Sequence, residues 1–292
     1  MKALVTGSAG FIGGHVCRQL LAEGFDVTGF DVRAAGLEQV HEVTGDFLDL
    51  DVLTAAIAGH DVVCHVGAIG DVYLAAEQPG LASTVNVTGT SNVATAALRN
   101  DARVVYASTW EVYGEPHYEP VDEKHPTNPD HPYNITKLGG EQMLLAAHRL
   151  QGLSAVALRL GTAYGLGMRP NSVFEIFIRK AMAGEPITIQ GDGSQGRQFT
   201  HASDIARAFA LATRSEADGI PVNIVAPDMI SIRQLAEKVV ARFPTEVTFG
   251  DPRPGDVPPS HVSSARAEET LGWKAEVSFD DGMAELFEAD RG

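Results

Sequence analysis

Short apolar runs alternate with longer amphipathic segments through the first half of the chain. The apolar runs predict buried strands at Lys2–Thr6, Asp26–Phe30, Glu42–Thr44, Asp61–His65, Arg103–Ala107 and Ser154–Leu160. The segments between them predict helices, one running to about Glu23 and another covering about Leu81–Arg99. Strands that alternate with helices are typical of crossover connections, so the pattern predicts an α/β fold with a doubly wound parallel sheet.

The pattern changes near Gly165, after the sixth predicted strand. We therefore expect residues 1–165 to form one domain and residues 166–292 to form a smaller C-terminal α/β lobe, with an approximate boundary and strands that are free to interleave. Within the second segment, Ser172 with Glu175 and Ser231 with Gln234 have the spacing of helix N-terminal capping boxes.

A glycine-rich turn follows the first predicted strand and leads into a helix. Its glycines are Gly7, Gly10 and Gly13, and Phe11 and Ile12 lie between the last two. Glycine permits a tight turn and a close approach of the backbone to a pyrophosphate, which rests on the helix N-terminus. In this context the turn predicts a Rossmann-type dinucleotide site in residues 1–165.

Acidic residues after the next two strands refine the prediction of the cofactor. Asp31 lies at the end of the second strand, where a carboxylate binds ribose hydroxyls and repels a 2′-phosphate, so NAD is favoured over NADP. Arg33, two residues later, is able to weaken that preference. Asp46 and Phe47 follow the third strand and are candidates for the adenine edge, although an aspartate in a loop is commonly a turn residue.

Tyr133 and Lys137 are the strongest candidates for chemistry. Four residues apart on a predicted helix, they lie on one face. An ammonium group nearby favours the phenolate, so the spacing predicts a lowered tyrosine pKa and a proton-transfer role at neutral pH. The pair alone also fits an ordinary amphipathic surface helix, and the neighbouring motifs decide between the two interpretations.

Composition narrows the classes of function. Hydrophobic residues make up 44% of the 292 residues, and the formal charge of −16 argues against general nucleic-acid binding. We find neither a membrane-spanning run nor a signal sequence and expect a cytoplasmic protein with no membrane partner. Cys17 and Cys64 fall inside predicted elements and indicate neither a disulfide framework nor a metal site.

Taken together, these motifs resemble those of the extended short-chain dehydrogenase/reductases of the NAD-dependent epimerase/dehydratase family, whose members act mostly on nucleotide-diphosphate sugars. The resemblance extends from Met1 to about Leu286. Besides the glycine turn, Asp31, Asp46-Phe47 and Tyr133/Lys137, the matching stretches are Asn86–Thr90, Ser108–Thr109, Val112–Gly114, Gly191–Arg197 and Arg253–Asp256.

The resemblance implies a role for each matching residue. Tyr133 is then the acid/base on a sugar hydroxyl, Lys137 binds the nicotinamide ribose and tunes Tyr133, and Thr109 bonds the reacting oxygen. Arg197 and Arg253 bind the substrate diphosphate, for which the guanidinium fork is suited. The resemblance also implies a homodimer formed through the 81–99 helix and the Tyr133 helix.

Two residues depart from the family pattern. Members with Thr-Asp-Glu at the Thr109 position are typically 4,6-dehydratases, whereas this chain has Thr109-Trp110-Glu111 and lacks the Asp that serves as general acid. Glu111 remains either a substrate contact or a polar loop residue. Thr162 replaces an Asn that commonly helps to hold the nucleotide diphosphate, which leaves the substrate less defined.

Three hypotheses for the function remain. The leading one is an NDP-sugar epimerase, with a UDP-sugar inverted at C4 through a transient 4-keto intermediate. An NAD-dependent dehydrogenase or ketoreductase of a nucleotide sugar or sugar acid uses the same catalytic residues. A non-catalytic NAD-binding protein is disfavoured because Tyr133 and Lys137 are both present.

Overall fold

The computed structural model describes residues 1–251 and 260–289. The strands are β1 (Lys2–Thr6), β2 (Asp26–Asp31), β3 (His41–Thr44), β4 (Val62–His65), β5 (Arg103–Thr109), β6 (Ala155–Leu160), β7 (Thr162–Tyr164), β8 (Ile187–Gln190), β9 (Gly196–Arg197), β10 (Phe199–His201), β11 (Ile220–Ile224), β12 (Ile230–Ser231) and β13 (Val247–Gly250). The α-helices are α1 (Phe11–Ala22), α2 (Leu50–Ile57), α3 (Val72–Glu77), α4 (Pro79–Ser83), α5 (Gly89–Asn100), α6 (Pro132–Gln151), α7 (Val173–Met182), α8 (Ala202–Thr213), α9 (Ile232–Arg242), α10 (Ala265–Leu271) and α11 (Phe279–Ala289).

A seven-stranded parallel sheet forms the centre of the larger lobe, in the order β11-β6-β5-β4-β1-β2-β3. The six strands expected from the apolar runs are all present, and the predicted α/β fold is confirmed. Chain order reverses between β1 and β4, and open sheets of this kind bind ligands at the carboxyl ends of strands beside such a reversal. The glycine turn and the Thr109 segment both lie at this edge.

The seventh strand, β11, comes from the second segment of the chain and lies beside β6 at the edge of the sheet. Helix α8, also from the second segment, packs on α1. The domain boundary at residue 165 stays a prediction. Strand β11 follows this boundary in the chain but belongs to the sheet formed by the first segment.

Both faces of the sheet are covered by apolar side chains, as a doubly wound fold requires. One face packs against α1 and α8 through Val16 and Phe209, and the other packs against α5 and α6 through Val93 and Leu144. A separate apolar cluster, which includes Phe174, joins α7, α9 and α11 with the short strands of the smaller lobe. Among the helices of the described residues, none is both long and apolar enough to cross a membrane.

The helix expected over residues 81–99 is built from three consecutive pieces. Helix α4 leads into a π-helical turn at Thr84–Thr88, and α5 continues to Asn100. Asn86 lies inside the wider turn, where its side chain accepts from Ile69 N at 2.8 Å and donates to Thr136 Oγ1 at 3.0 Å. The π turn therefore ties the loop after β4 to helix α6.

Both expected serines cap helices in the smaller lobe, and the reciprocal capping box is shown for one of them. Ser231 and Gln234 form a reciprocal capping box at the start of α9. Ser172 Oγ accepts from Glu175 N at 3.2 Å and so caps α7.

Candidate active site

The glycine turn packs as tightly as its sequence predicts. Gly7 has φ +72°, and a Cβ on it would lie 2.6 Å from Gly67 Cα at the end of β4. A Cβ on Gly13 would lie 2.0 Å from Gly7 O. Gly10 is the N-cap residue and has no side chain, so it leaves the first-turn N–H groups of α1 without a side-chain cap. Uncapped amides at a helix N-terminus suit an anionic group such as a pyrophosphate.

Asp31 is held beside this turn at the end of β2. Its Oδ2 accepts from Ala9 N at 3.1 Å, and its Oδ1 accepts from Arg33 N at 3.3 Å. Arg33 donates to Ala9 O at 3.1 Å, so its guanidinium group also borders the turn. The structure thus brings Asp31 to the glycine turn, as a ribose-binding role requires.

Asp46 and Phe47 occupy different settings at the same edge of the sheet. The exposed Asp46 accepts from Leu48 N at 2.9 Å, which is the geometry of an Asx turn. The Phe47 ring lies against Gly67, where a Cβ would come within 2.7 Å of it. The Phe47 ring therefore packs against the loop that follows β4. The contact of Asp46 with adenine stays a prediction.

Strand β5 delivers Thr109 to the carboxyl edge of the sheet, where a 3-10 turn begins. Thr109 Oγ1 accepts from Glu111 N at 3.3 Å and so fixes the turn that carries Glu111. Burial raises the pKa of the Glu111 carboxyl, and Arg197 partly offsets this. The charge of Arg197 thus acts on the Glu111 carboxyl, although the two residues are far apart in sequence.

Tyr133 lies in the first turn of α6 and is half-buried. The prediction that Lys137 lowers the pKa of Tyr133 is wrong for this structure. Burial raises the pKa of the phenol well above its ordinary value, the Glu111 charge raises it further, and Arg169 partly offsets both. Desolvation has the largest effect on this phenol, and helical spacing to the ammonium one turn away does not report it.

Lys137 is buried one turn beyond Tyr133. Its Nζ lies over the Tyr106 ring of β5, 4.3 Å from the ring centroid. Burial lowers the lysine pKa to about 7, and the nearby Glu141 opposes this shift. Near neutral pH, the charge of Lys137 therefore depends on the groups around it.

The remaining predicted substrate residues with described positions, Thr162 and Arg197, lie on two short strands. Arg197 ends β9 and donates to Gly196 O at 2.7 Å. Thr162 begins β7 and is paired in register with Phe199, two residues beyond Arg197. Arg253 lies outside the described residues.

Arg169 is a site residue that the sequence did not single out. It forms an ion pair with Asp71 at 3.0 Å and so bridges the two lobes, and its charge acts on the Tyr133 phenol. Arg169 is exposed and lies in a loop that carries no motif. Its position shortly after Gly165 is therefore the one feature of the sequence that could have pointed to a role in the site.

Trp110 is enclosed by apolar neighbours. Its side chain is 8% exposed and clusters with Tyr113, Val121, Val225 and Val262. An indole in this setting offers no titratable proton to a substrate.

The residues of the glycine turn fit the binding of NAD. No Cβ fits at Gly7 or Gly13 in the turn before α1, and Asp31 bonds Ala9 N of the same turn, which is the arrangement expected of a dinucleotide site. Among the described residues, no cluster of three or more His, Cys, Asp and Glu side chains could hold a metal ion.

Comparisons with known proteins agree with this arrangement. A profile of the NAD dependent epimerase/dehydratase family matches residues 3–225. The UDP-glucose 4-epimerase of Mycolicibacterium smegmatis is 33% identical, over 99% of this chain and 98% of that protein. The dTDP-glucose 4,6-dehydratase of Streptomyces niveus is 30% identical, over 99% and 92%.

A solved structure is similar over the full chain. It is the UDP-glucose 4-epimerase of Thermotoga maritima, determined with UDP-glucose. It superimposes with a TM-score of 0.94 at 28% identity and covers 100% of this chain and 99% of its own.

Proposed function

The chain belongs to the NAD-dependent epimerase/dehydratase family, and we propose that it is an epimerase that inverts C4 of a UDP-sugar. Its sequence relatives include both epimerases and dehydratases, so the choice between these reactions depends on the site. NAD, when bound, supplies the acceptor for the C4 hydrogen and its electron pair and returns them later in the same turnover.

The apolar setting of Trp110 is the observation that carries the choice of epimerisation. Dehydration needs an acid to protonate the leaving hydroxyl, and in the resembling dehydratases an Asp occupies this position. Here an indole lies in an apolar cluster and supplies no such proton. The chain nevertheless has Tyr133, Lys137 and Thr109, which supports oxidation and re-reduction at one carbon as the proposed reaction.

Tyr133 is the proposed acid/base. It takes the C4 hydroxyl proton as the carbon is oxidised to the ketone and returns that proton when the opposite face is reduced. Tyr133 accepts this proton as the phenolate, and because its pKa is raised, the phenolate forms only where positive charge stabilises it. Lys137, one turn away on α6, and Arg169, whose charge lowers the phenol's pKa, are the proposed sources of that positive charge.

Arg197 is the proposed ligand of the substrate diphosphate, together with Arg253 by the family pattern. The formal charge of −16 means that the protein as a whole repels a dianion, so a local arginine must attract it. The charge of Arg197 acts on the Glu111 carboxyl, which supports a position for the diphosphate near the turn that carries Thr109. Thr162 and Glu111 complete the proposed sugar and phosphate contacts.

A homodimer through α5 and α6 is part of the proposal. The two helices pack against each other, and α6 exposes Ile135, Met143 and Leu150 at helical spacing. Light scattering after size exclusion is expected to give twice the mass of 31.0 kDa. A monomer under the same conditions contradicts this part of the proposal.

Proton NMR tests the reaction. The purified protein is incubated with UDP-glucose and NAD, and absorbance is followed in parallel for reduced NAD. We expect the anomeric signal of UDP-galactose without accumulation of reduced NAD, and its loss in Tyr133→Phe. Net reduced NAD would instead identify a dehydrogenase, and wild-type turnover in Tyr133→Phe would refute the role of the phenol.

A further inference from the structure

A buried carboxylate lies one turn beyond Lys137 on α6. Glu141 is fully buried, and its Oε2 accepts from Ser108 Oγ at 2.6 Å and from Arg159 Nε at 3.1 Å. Arg159 Nη2 donates to the other carboxylate oxygen, so the guanidinium pairs with Glu141 in a bidentate fork. Tyr133, Lys137 and Glu141 thus follow one another at four-residue spacing along one helix.

The bonding of Glu141 connects three elements of the site. Ser108 precedes Thr109 on β5, Arg159 lies on β6, and Glu141 itself lies on α6. The Arg159 guanidinium also lies over the Tyr113 ring, 4.8 Å from its centroid. Ser108 and Arg159 lie on strands, and Arg159 also packs on the Tyr113 ring, so these contacts hold the carboxylate in one position.

The groups that face Lys137 come from several elements. From β4, His65 bonds Thr6 Oγ1 and Thr90 Oγ1, and burial together with Lys137 lowers its pKa to about 3, so it is neutral. From β5, the Tyr106 ring lies under the ammonium, and burial keeps its phenol protonated. On α6, burial raises the pKa of the Tyr133 phenol, and Glu141 is the carboxylate that acts on Lys137.

We propose that Glu141 is a positioning residue that keeps Lys137 protonated beside Tyr133, and that Ser108 and Arg159 hold its carboxylate in place for this purpose. Desolvation of a buried ammonium favours the neutral amine, and a neutral amine does not stabilise a phenolate. A fixed carboxylate one helical turn away opposes that loss of charge. This role rests on the proposed acid/base function of Tyr133.

A purely structural role for the Glu141–Arg159 pair is the alternative. A buried ion pair with satisfied hydrogen bonds is common in protein interiors and need not affect a neighbouring group. The two roles differ in one observable, the protonation of Lys137, which a structural pair leaves unchanged.

The charge of Lys137 is measurable without any catalytic assay. The chain contains six lysines, at positions 2, 124, 137, 180, 238 and 274, so lysine labelled with ¹³C at Cε gives a resolvable set of signals. The signal that disappears in Lys137→Arg identifies this residue. Its chemical shift is then followed against pH in the full chain, with and without saturating NAD.

Glu141→Gln is the test variant, because Gln preserves shape and removes the charge. We expect the midpoint of the Lys137 titration to fall by about 1 unit or more, the effect of losing an opposite charge at close range. Glu268→Gln is the matched control: it removes an exposed carboxylate paired with Lys274 and is expected to leave the Lys137 titration unchanged. An unchanged midpoint in Glu141→Gln overturns the proposal.

Glu141→Gln leaves the Arg159 charge buried without its partner, so a second variant guards against failure to fold. Glu141→Gln/Arg159→Met removes both charges, and the Lys137 midpoint is again expected below that of the wild type. In the active enzyme, the fall of kcat at high pH should move to lower pH by the same amount. A shifted Lys137 midpoint with an unshifted kcat profile would overturn the positioning role. Failure to epimerise any UDP-sugar, by contrast, refutes the proposed function and leaves the NMR result standing.

Discussion

The Gly13→Ala substitution tests the geometry of the dinucleotide turn most sharply. A Cβ at this position would lie 2.0 Å from Gly7 O, 2.7 Å from Gly7 C and 3.0 Å from Ser8 Cα, whereas ordinary contact begins near 3.4 Å. The neighbouring atoms are all backbone, so no side chain can rotate away. Relief requires a shift of roughly 1 Å between the turn and α1, and overpacking of this kind costs about 1–3 kcal/mol.

That cost falls on the surface that binds the pyrophosphate. If the displacement of the turn weakens NAD binding and not folding, the Kd for NAD rises roughly 5- to 150-fold. Isothermal titration calorimetry with NAD measures this directly, and thermal unfolding with and without NAD separates binding from folding.

Gly14→Ala is the matched control on the same helix. The nearest atom to its Cβ would be the end of the Arg18 side chain at 3.6 Å, so the substitution fits and gains helix propensity of up to about 1 kcal/mol. We expect wild-type NAD affinity and an equal or higher melting temperature. Wild-type affinity in Gly13→Ala, or an equal loss in both variants, would refute the account of the turn.

Three further predictions follow from the same site. Arg197→Leu is expected to raise the KM for UDP-glucose about 10- to 100-fold with little change in kcat, because a hydrogen bond to a charged group is worth about 1.5–3 kcal/mol. A fall in kcat alone, measured by steady-state kinetics, would contradict this prediction. Asp31→Ala is expected to weaken NAD binding about tenfold and to narrow the preference for NAD over NADP, as calorimetry with both cofactors would show. Lys137 has a folded pKa of about 7, below its unfolded value, so the unfolded chain binds more protons above that pH. The free energy of unfolding should therefore rise between about pH 7 and pH 10, by up to roughly 4 kcal/mol. In denaturant titrations, Lys137→Met should reduce this dependence of the unfolding free energy on pH. An unchanged dependence in the variant would contradict the burial of the amine.

Local patterns were sufficient for the elements that carry the site. The apolar runs predicted six strands of the large sheet, and the glycine spacing predicted the turn before α1. The edge strand β11 escaped the apolar pattern, because its five residues include Pro221 and Asn223. Proline is tolerated at a sheet edge, where a missing N–H costs little, and that is where β11 lies.

Contacts between distant segments were beyond the sequence argument. Helical spacing correctly placed Tyr133 and Lys137 on one helix, but the position of the ammonium over Tyr106 depends on the packing of α6 against β5. The same holds for the pKa of Tyr133, which burial and Glu111 set, and for Arg169, which reaches the site through its pairing with Asp71. Desolvation depends on the whole fold, and spacing along one helix does not report it.

The fate of a deuterium label at C4 tests the central claim most directly. UDP-[4-²H]glucose is incubated with the protein and NAD, and the products are analysed by NMR and mass spectrometry. Epimerisation removes the label from C4 and returns it to the same carbon, so we expect UDP-galactose with deuterium retained at C4 and no net reduced NAD. A 4-keto-6-deoxy sugar carrying deuterium at C6, or reduced NAD that accumulates with the label, would contradict the account.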